Sequence, residues 1–258
     1  MRRSSVDSVC EVWNLETETG VYVAGGVLVH NCHKFAATTF RDVVDHFPAR
    51  YRYGVSADER RKDGKTFLLA DTFGDVEASV DKESLIEAGI VLDVEVRIVE
   101  TGFACPWYDR IPEEQRGSYF NELLDELTND PQRNALIEEL AVSEAKRGEQ
   151  VLMFSHRVEH CRRVAADVAK AEPRVGLLLG GQDNRSEFRE NVDRLLDGRL
   201  RVGVGTYQAV GTGNDLPSVA RGIATTPIHN NAPFLGQVMG RLCRTSERTG
   251  KRDAVLYY

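Results

Sequence analysis

The sequence predicts an α/β protein, a parallel sheet covered by helices, preceded by a short all-β segment. Two observations carry this prediction. From Val151 to the C-terminus, short apolar runs alternate with helical stretches of roughly 10–15 residues, the rhythm of parallel strands joined by crossover helices. Residues 1–31 have a different pattern, with brief strands separated by glycine turns and too little chain to enclose a core.

The elements can be read in order. Val12-Trp13-Asn14-Leu15-Glu16 alternates as a strand, Thr17 to Gly20 turns, and Val21-Tyr22-Val23 is a second strand. Ala24-Gly25-Gly26 turns again, and Val27-Leu28-Val29 closes this unit. Phe35, Phe40, Val43, Val44 and Phe47 fall at helical spacing, and Pro48 ends that helix. Arg50 to Val55 reads as a strand, residues 58–84 as charged and irregular, and Ile90 to Val99 as a strand. Tyr119 to Lys146 supplies long helical spacing. Val151-Leu152-Met153-Phe154 is apolar throughout, as a strand buried on both faces must be. A helix over 157–170, a strand from Val175 to Leu179 and a helix over 184–197 follow. Strands at Leu200 to Val204 and Val219 to Ala224, a helix from Ala232 to Leu242 and a strand from Ala254 to Tyr258 complete the chain. There is no internal repeat.

Composition bounds the function. The 258 residues suffice for one large domain or two modest ones. A net charge of −7, with both signs interspersed, argues against coating nucleic acid by bulk charge but permits a local basic groove. The five cysteines include no Cys-x-x-Cys pair, which disfavours a zinc ribbon or disulfide framework and fits a reducing cytoplasm. Cys10 reads as an ordinary buried thiol. The longest apolar stretch, Val21 to Val29, holds two glycines and is too short to span a bilayer, so no membrane partner is expected. Met1-Arg2-Arg3 lacks the apolar core of a signal peptide.

In parallel α/β sheets ligands lie beyond the C-terminal strand ends. Three polar clusters fall there: Ser155-His156-Arg157, Gly205-Thr206, and the turn before the 232–242 helix. On that helix Gln237, Arg241 and Arg244, at i, i+4 and i+7, are expected to share one face, with Gly240 permitting close approach of another backbone. Two guanidiniums on one face suit a phosphate, because each offers a planar fork of donors. A solvated basic face is the plainer alternative.

Gln237-Val238-Met239-Gly240-Arg241-Leu242-Cys243-Arg244 resembles motif VI of superfamily 2 helicases, and further motifs precede it in order. Val151 to Arg157 resembles motif IV, and Val204 to Pro217, through Gly205, Thr206, Gly213 and Asp215, resembles motif V. Arg52-Tyr53-Gly54-Val55-Ser56-Ala57-Asp58 resembles motif III, with Asp58 where Thr is common. The resemblance implies a RecA-like helicase C-terminal domain preceded by the end of a first RecA-like domain. It implies that Arg241 and Arg244 contact ATP phosphates across the cleft between two motor domains, with Gln237 orienting that site. Asp215 would lie near the ribose or the domain interface, beside Gly213. Ser155, His156, Arg157, Gly205 and Thr206 would touch a DNA or RNA backbone, and Ser56-Ala57-Asp58 would couple hydrolysis to domain movement. Ser155 could instead be only a helix cap, and Gly211 and Gly213 plain turn glycines. ATP and Mg2+ belong to the complete protein, and no cofactor is expected for this chain alone.

The first 31 residues carry different chemistry. An Asn side-chain amide can attack its own backbone carbonyl, forming a succinimide and cutting the chain behind it. A neighbouring His can protonate the leaving amine, and a following Cys can accept an acyl chain. His30-Asn31-Cys32 offers all three, and Val12 to Glu16 together with Gly25 to Cys32 resembles the C-terminal blocks of inteins. Asn14 and Gly20 stand where many inteins carry Asp and His. By this resemblance Asn31 cyclises, His30 assists, and Cys32 opens the host protein. Cys32-His33 would complete an Asp-Glu-x-His motif II whose first half lies on a separate partner, together with the phosphate loop and the N-terminal intein fragment. The expected division is 1–31 intein fragment, 32–91 end of the first motor domain, 92–258 helicase C-terminal domain.

Two further patterns point elsewhere. Gly64-Lys65-Thr66 resembles the end of a phosphate loop, but Glu59 replaces the required first glycine, so a turn is expected. His156-Arg157-Val158-Glu159-His160 fits an inverted zinc-hydrolase motif, with Glu187 or Glu190 as third ligand. A zinc hydrolase is therefore the second function class, and a nucleic-acid-binding module without motor activity the third.

Overall fold

The computed structural model describes residues 21–24, 27–30, 67–211, 216–227, 233–246 and 248–258. The chain divides into two compact units, Met1–Val80 and Asp81–Tyr258. In the first, β1 (Val21–Ala24) pairs antiparallel with β2 (Val27–His30), with Ala24 opposite Val27 and Val21 opposite His30. This is the hairpin the glycine turn predicts. Helix α1 (Phe67–Phe73) lies in the stretch expected to be irregular. The expected strands at 12–16 and 50–55, the helix at 35–47, Cys10 and the Gly64-Lys65-Thr66 turn lie outside the described residues.

The second unit opens with α2 (Lys82–Glu87), capped by Asp81, whose carboxylate accepts from the Ser84 backbone N–H at 2.8 Å. Strand β3 (Val94–Arg97) is shorter than expected and is followed by two single turns, α3 (Pro106–Asp109) and α4 (Glu113–Arg116), that apolar spacing did not reveal. The long helix expected from Tyr119 is two helices, α5 (Phe120–Asn129) and α6 (Pro131–Lys146). Asp130 separates them: its carboxylate accepts from the Arg133 backbone N–H at 2.7 Å, and Pro131 sits at the first helical position. The chain then alternates through β4 (Val151–Ser155), α7 (Val158–Val168), β5 (Val175–Leu178), α8 (Arg185–Leu196), β6 (Val202–Thr206), the short α9 (Tyr207–Gly211), β7 (Arg221–Ala224), α10 (Pro233–Leu242) and β8 (Ala254–Tyr257).

Six strands form one all-parallel sheet in the order β3-β8-β7-β4-β6-β5. Side chains alternate across it. Val151 and Met153 pack with Ile137 and Ala141 of α6 and Val164 and Val168 of α7. Leu152 and Phe154 pack on the other face with Leu195 of α8, Val210 of α9 and Leu242 of α10. Helices therefore cover both faces, as parallel sheets require. A buried ion network ties α6 to the strands that follow. Glu144, side chain 2% exposed, accepts from Arg221 Nε at 2.9 Å and from the Tyr257 hydroxyl at 3.0 Å. Asp253 and Glu149 also pair with Arg221.

The segment before β3 belongs to this unit. Leu92 N–H donates to the Cys243 carbonyl at 2.6 Å, and Val91 bridges Arg244. The compact unit that holds the sheet begins at Asp81. Among the described residues no helix is long and apolar enough to cross a membrane.

Candidate functional site

Chain connections leave β4 toward β5 and leave β7 toward β8, so the direction of winding switches between the neighbours β4 and β7. A crevice at the C-terminal strand ends is expected at such a point. The 155–157 turn occupies one side and Thr225-Thr226 the other. Thr225 is anchored to the Phe154 carbonyl through its backbone N–H (2.9 Å) and its hydroxyl (2.6 Å). Thr226 Oγ1 accepts from the His156 backbone N–H at 3.1 Å and lies 2.8 Å from His156 Nδ1. The His156 ring sits 4.5 Å from Tyr207, whose hydroxyl donates to the Thr226 carbonyl at 2.7 Å. Burial, and then the Arg157 charge, lower the His156 pKa.

Ser155 does not face outward. It is 1% exposed, and its Oγ lies 3.0 Å from Nδ1 of His160, itself 1% exposed. His160 Nε2 lies 3.0 Å from Asn134 Oδ1, and Asn134 Nδ2 donates to the Thr128 carbonyl. This chain of partners assigns the tautomer: Nε2–H donates to Asn134, and Nδ1 accepts from the Ser155 hydroxyl. Ser155 Oγ also accepts from the Arg157 backbone N–H at 3.1 Å, which closes a turn ahead of α7 rather than capping it, since no side chain caps that helix. Burial, with Arg133 and Arg163 nearby, pushes the His160 pKa down to about 4.

Gly205 is enclosed too. A Cβ there would collide with the Leu178 carbonyl oxygen, so glycine is required for β5 and β6 to approach. Of the five residues expected to touch a backbone, Ser155 and Gly205 therefore shape the edge from inside, while His156, Arg157 and Thr206 are partly exposed. Arg157 is turned toward α5, where Nη2 reaches the Asn121 carbonyl at 3.0 Å and Asp125 at 2.9 Å.

The zinc reading needs His156 and His160 on one helical face, but α7 begins at Val158 and His156 precedes it. Both His160 nitrogens are engaged, and the Glu159 side chain is 84% exposed. Glu187 and Glu190 lie on α8, and the described residues form no group of three metal-ligating side chains.

Helix α10 ends at Leu242, so the expected single face of Gln237, Arg241 and Arg244 is not formed. Arg241 lies on the last turn and is 9% exposed. Arg244 follows in extended backbone bridged to Val91, with its side chain exposed. A Cβ on Gly240 would meet nothing within 4 Å among the described residues, so none of them requires glycine there. Lys251 sets the end of the helix: its Nζ donates to the Leu242 carbonyl at 2.5 Å and the Arg244 carbonyl at 2.9 Å. Burial pulls the Lys251 pKa down to about 8. The Gln237 side chain, Gly213, Asp215, Ser56, Ala57, Asp58, Asn31, Cys32 and the His30 side chain lie outside the described residues.

Sequence reasoning missed Asn134, Lys251 and Arg133. The Asp-Pro pair at 130–131 was a legible helix start, but nothing in the spacing tells that Asn134 and His160 would meet across two helices.

No protein-family profile matches the chain. It is 24% identical over 237 residues to "Probable helicase D10" of Escherichia phage T5, a match covering 91% of this chain and 48% of that protein. A fragment assigned as an HsdR subunit of a type I restriction enzyme from Vibrio vulnificus YJ016 superposes with TM-score 0.65 at 16% identity, covering 90% of this chain and 43% of that one. S. cerevisiae Dbp5, in a variant bound to RNA and ADP BeF3, superposes with TM-score 0.56 at 12% identity, covering 90% and 53%. The fold is the parallel-sheet α/β fold of RecA-like helicase domains. The chain spans about half the length of each of these proteins.

Proposed function

We propose that this chain is the C-terminal part of an ATP-dependent nucleic-acid helicase or translocase, inactive as an ATPase until a second chain supplies the phosphate loop and the motif II acids. The observation that carries this reading is the β4–β7 switch point, where His156, Thr206, Tyr207 and Thr226 gather at one sheet edge. The phage relative and the RNA-bound Dbp5 fold support it. Arg241 and Arg244, at the end of α10 beside the residues that lead into β3 and β8, would meet the ATP phosphates, Gln237, Gly213 and Asp215 would line the nucleotide, and Ser56-Ala57-Asp58 would couple hydrolysis to movement. Mg2+ would neutralise phosphate charge in the complete protein. Its ligands would include the motif II acids. The edge would track a DNA or RNA backbone through His156 and Thr206. The test is strand affinity of the reconstituted protein with and without a non-hydrolysable ATP analogue. A nucleotide-dependent shift is expected; binding indifferent to nucleotide would instead mark a plain nucleic-acid-binding module.

We further infer that residues 1–31 are the C-terminal fragment of an intein interrupting motif II. The β1–β2 hairpin, ending on His30, supports this. Asn31 Nδ2 would attack its own carbonyl carbon and close a succinimide. The Asn31–Cys32 bond would break, and the Cys32 amine would leave with a proton delivered through His30. Mixing with a matching N-terminal intein half should give a ligated mass, lost in Asn31→Ala. Equal product from Asn31→Ala would refute the assignment.

A further inference from the structure

Arg133, on the first turn of α6, is 7% exposed, and its Nη1 is enclosed without a hydrogen-bond partner. Its backbone N–H is held by Asp130, but no described carboxylate forms an ion pair with its guanidinium. Buried cations are normally paired, because desolvation is otherwise uncompensated. Compare Arg221, equally sheltered, which is met by Glu144, Glu149 and Asp253.

Its chain neighbour Asn134 meets His160, which in turn meets Ser155, so the first turn of α6 lies beneath the 155–157 turn. The Arg133 charge bears on His160, whose ring supports the 155–157 turn, and on Tyr207, at the end of β6. Both belong to the C-terminal edge of the sheet. Neither can neutralise a guanidinium: His160 is neutral, and Tyr207 is a buried phenol whose hydroxyl is spent on Thr226. The Asp130 carboxylate is committed to capping α6. A cation is thus held at the switch-point edge without an ion pair from the described part of its own fold, the Asp130 carboxylate bearing on it only through its field.

We propose that Arg133 is a phosphate receptor, whose missing counter-ion is a backbone phosphate of a nucleic-acid strand lying across the ends of β4 and β6. The strand as the source rests on the helicase reading; the need for an anion does not. A guanidinium suits this because it remains charged under partial burial and presents its donors in a fixed plane. Its fold tolerates the unpaired charge because the ligand, when bound, completes it. Stability and binding should then oppose each other at this residue, which a merely structural arginine would not show.

The experiment uses the full chain with Arg133→Met and Arg133→Lys. It measures thermal melting, anisotropy of a labelled single-stranded oligonucleotide across a salt series, and competition by inorganic pyrophosphate. Arg133→Met should melt higher than the parent, bind the oligonucleotide roughly tenfold more weakly, and lose about one unit of salt slope. Arg133→Lys should keep the slope and bind with intermediate affinity. Unchanged oligonucleotide affinity and slope in a folded Arg133→Met overturns the proposal. If Arg133→Met does not fold, parent affinity in Arg133→Lys overturns it too. A parent that binds pyrophosphate through Arg133 but no strand overturns the strand assignment and counts against the helicase reading, leaving the anion requirement standing.

Discussion

The Ser155 hydroxyl is 3.0 Å from Nδ1 of His160 inside the domain, and the imidazole passes the contact on to Asn134 at 3.0 Å. One histidine therefore joins three elements: the end of β4, the start of α7 and the first turn of α6. The turn that carries His156 and Arg157 is held from beneath by groups that water does not reach.

This relay requires a neutral imidazole. The His160 pKa falls from 6.5 to about 4 on folding, through burial first and then Arg133 and Arg163. Between these values the unfolded chain holds the proton and the folded chain does not, so stability falls as pH drops from 6.5 toward 4. The loss from this group should reach about 3 kcal/mol at the acid end. Denaturant titrations at pH 7 and pH 4.5 should show it, and His160→Gln should flatten the difference. An equally steep loss in the variant would place the acid sensitivity elsewhere.

Gly205→Ala tests the close approach of β5 and β6. The added Cβ would collide with the Leu178 backbone oxygen and sit 2.6 Å from Val210. Backbone cannot move aside as a flexible side chain can, so a loss on the order of 3 kcal/mol is expected. Gly240→Ala, where nothing is crowded, should change stability far less. Similar melting of the two variants would contradict this packing.

Much of the sheet was legible in the sequence, and the reason is physical. A strand buried on both faces must be apolar along its length, and Val151 to Phe154 could hardly be anything else. Crossover helices carry their own period, so α7 and α8 were placed within a residue or two. The α5–α6 break was written in Asp130-Pro131 but outweighed by continuous apolar spacing across it. Site residues were less legible because direction is tertiary. Ser155 reads as a rim hydroxyl until His160 is seen folded back beneath it. Arg244 reads as a helical neighbour of Arg241 until α10 is seen to stop at Leu242. No one-dimensional pattern marks Arg133, whose distinction is a buried guanidinium with an enclosed Nη1 that no described group accepts from.

Lys251 is the element that stops α10. Its ammonium satisfies the Leu242 and Arg244 carbonyls and, at 3.4 Å, faces that of Pro217. Lys251→Met leaves those acceptors without their donor and should cost about 1–2 kcal/mol. Because burial lowers the Lys251 pKa from 10.5 to about 8, the unfolded chain keeps the proton longer. The parent should therefore gain on the variant as pH rises from 8 toward 10.5. A gap that narrows over that range would show the ammonium to be less buried than the structure has it.

The central proposal is that this chain is the C-terminal part of a motor, bringing Arg241 and Arg244 to a triphosphate held on a phosphate loop that residues 1–258 do not contain. The most direct measurement is ATP hydrolysis by this chain mixed with a partner that carries the phosphate loop and the Asp-Glu pair, assayed with single-stranded nucleic acid. Each chain alone should be inactive and the mixture active. Arg241→Lys and Arg244→Lys should each reduce the mixture's rate, by up to about a thousandfold for an arginine on the transferring phosphoryl group. Hydrolysis by the partner alone at the mixture's rate, or a mixture indifferent to both substitutions, would contradict the account.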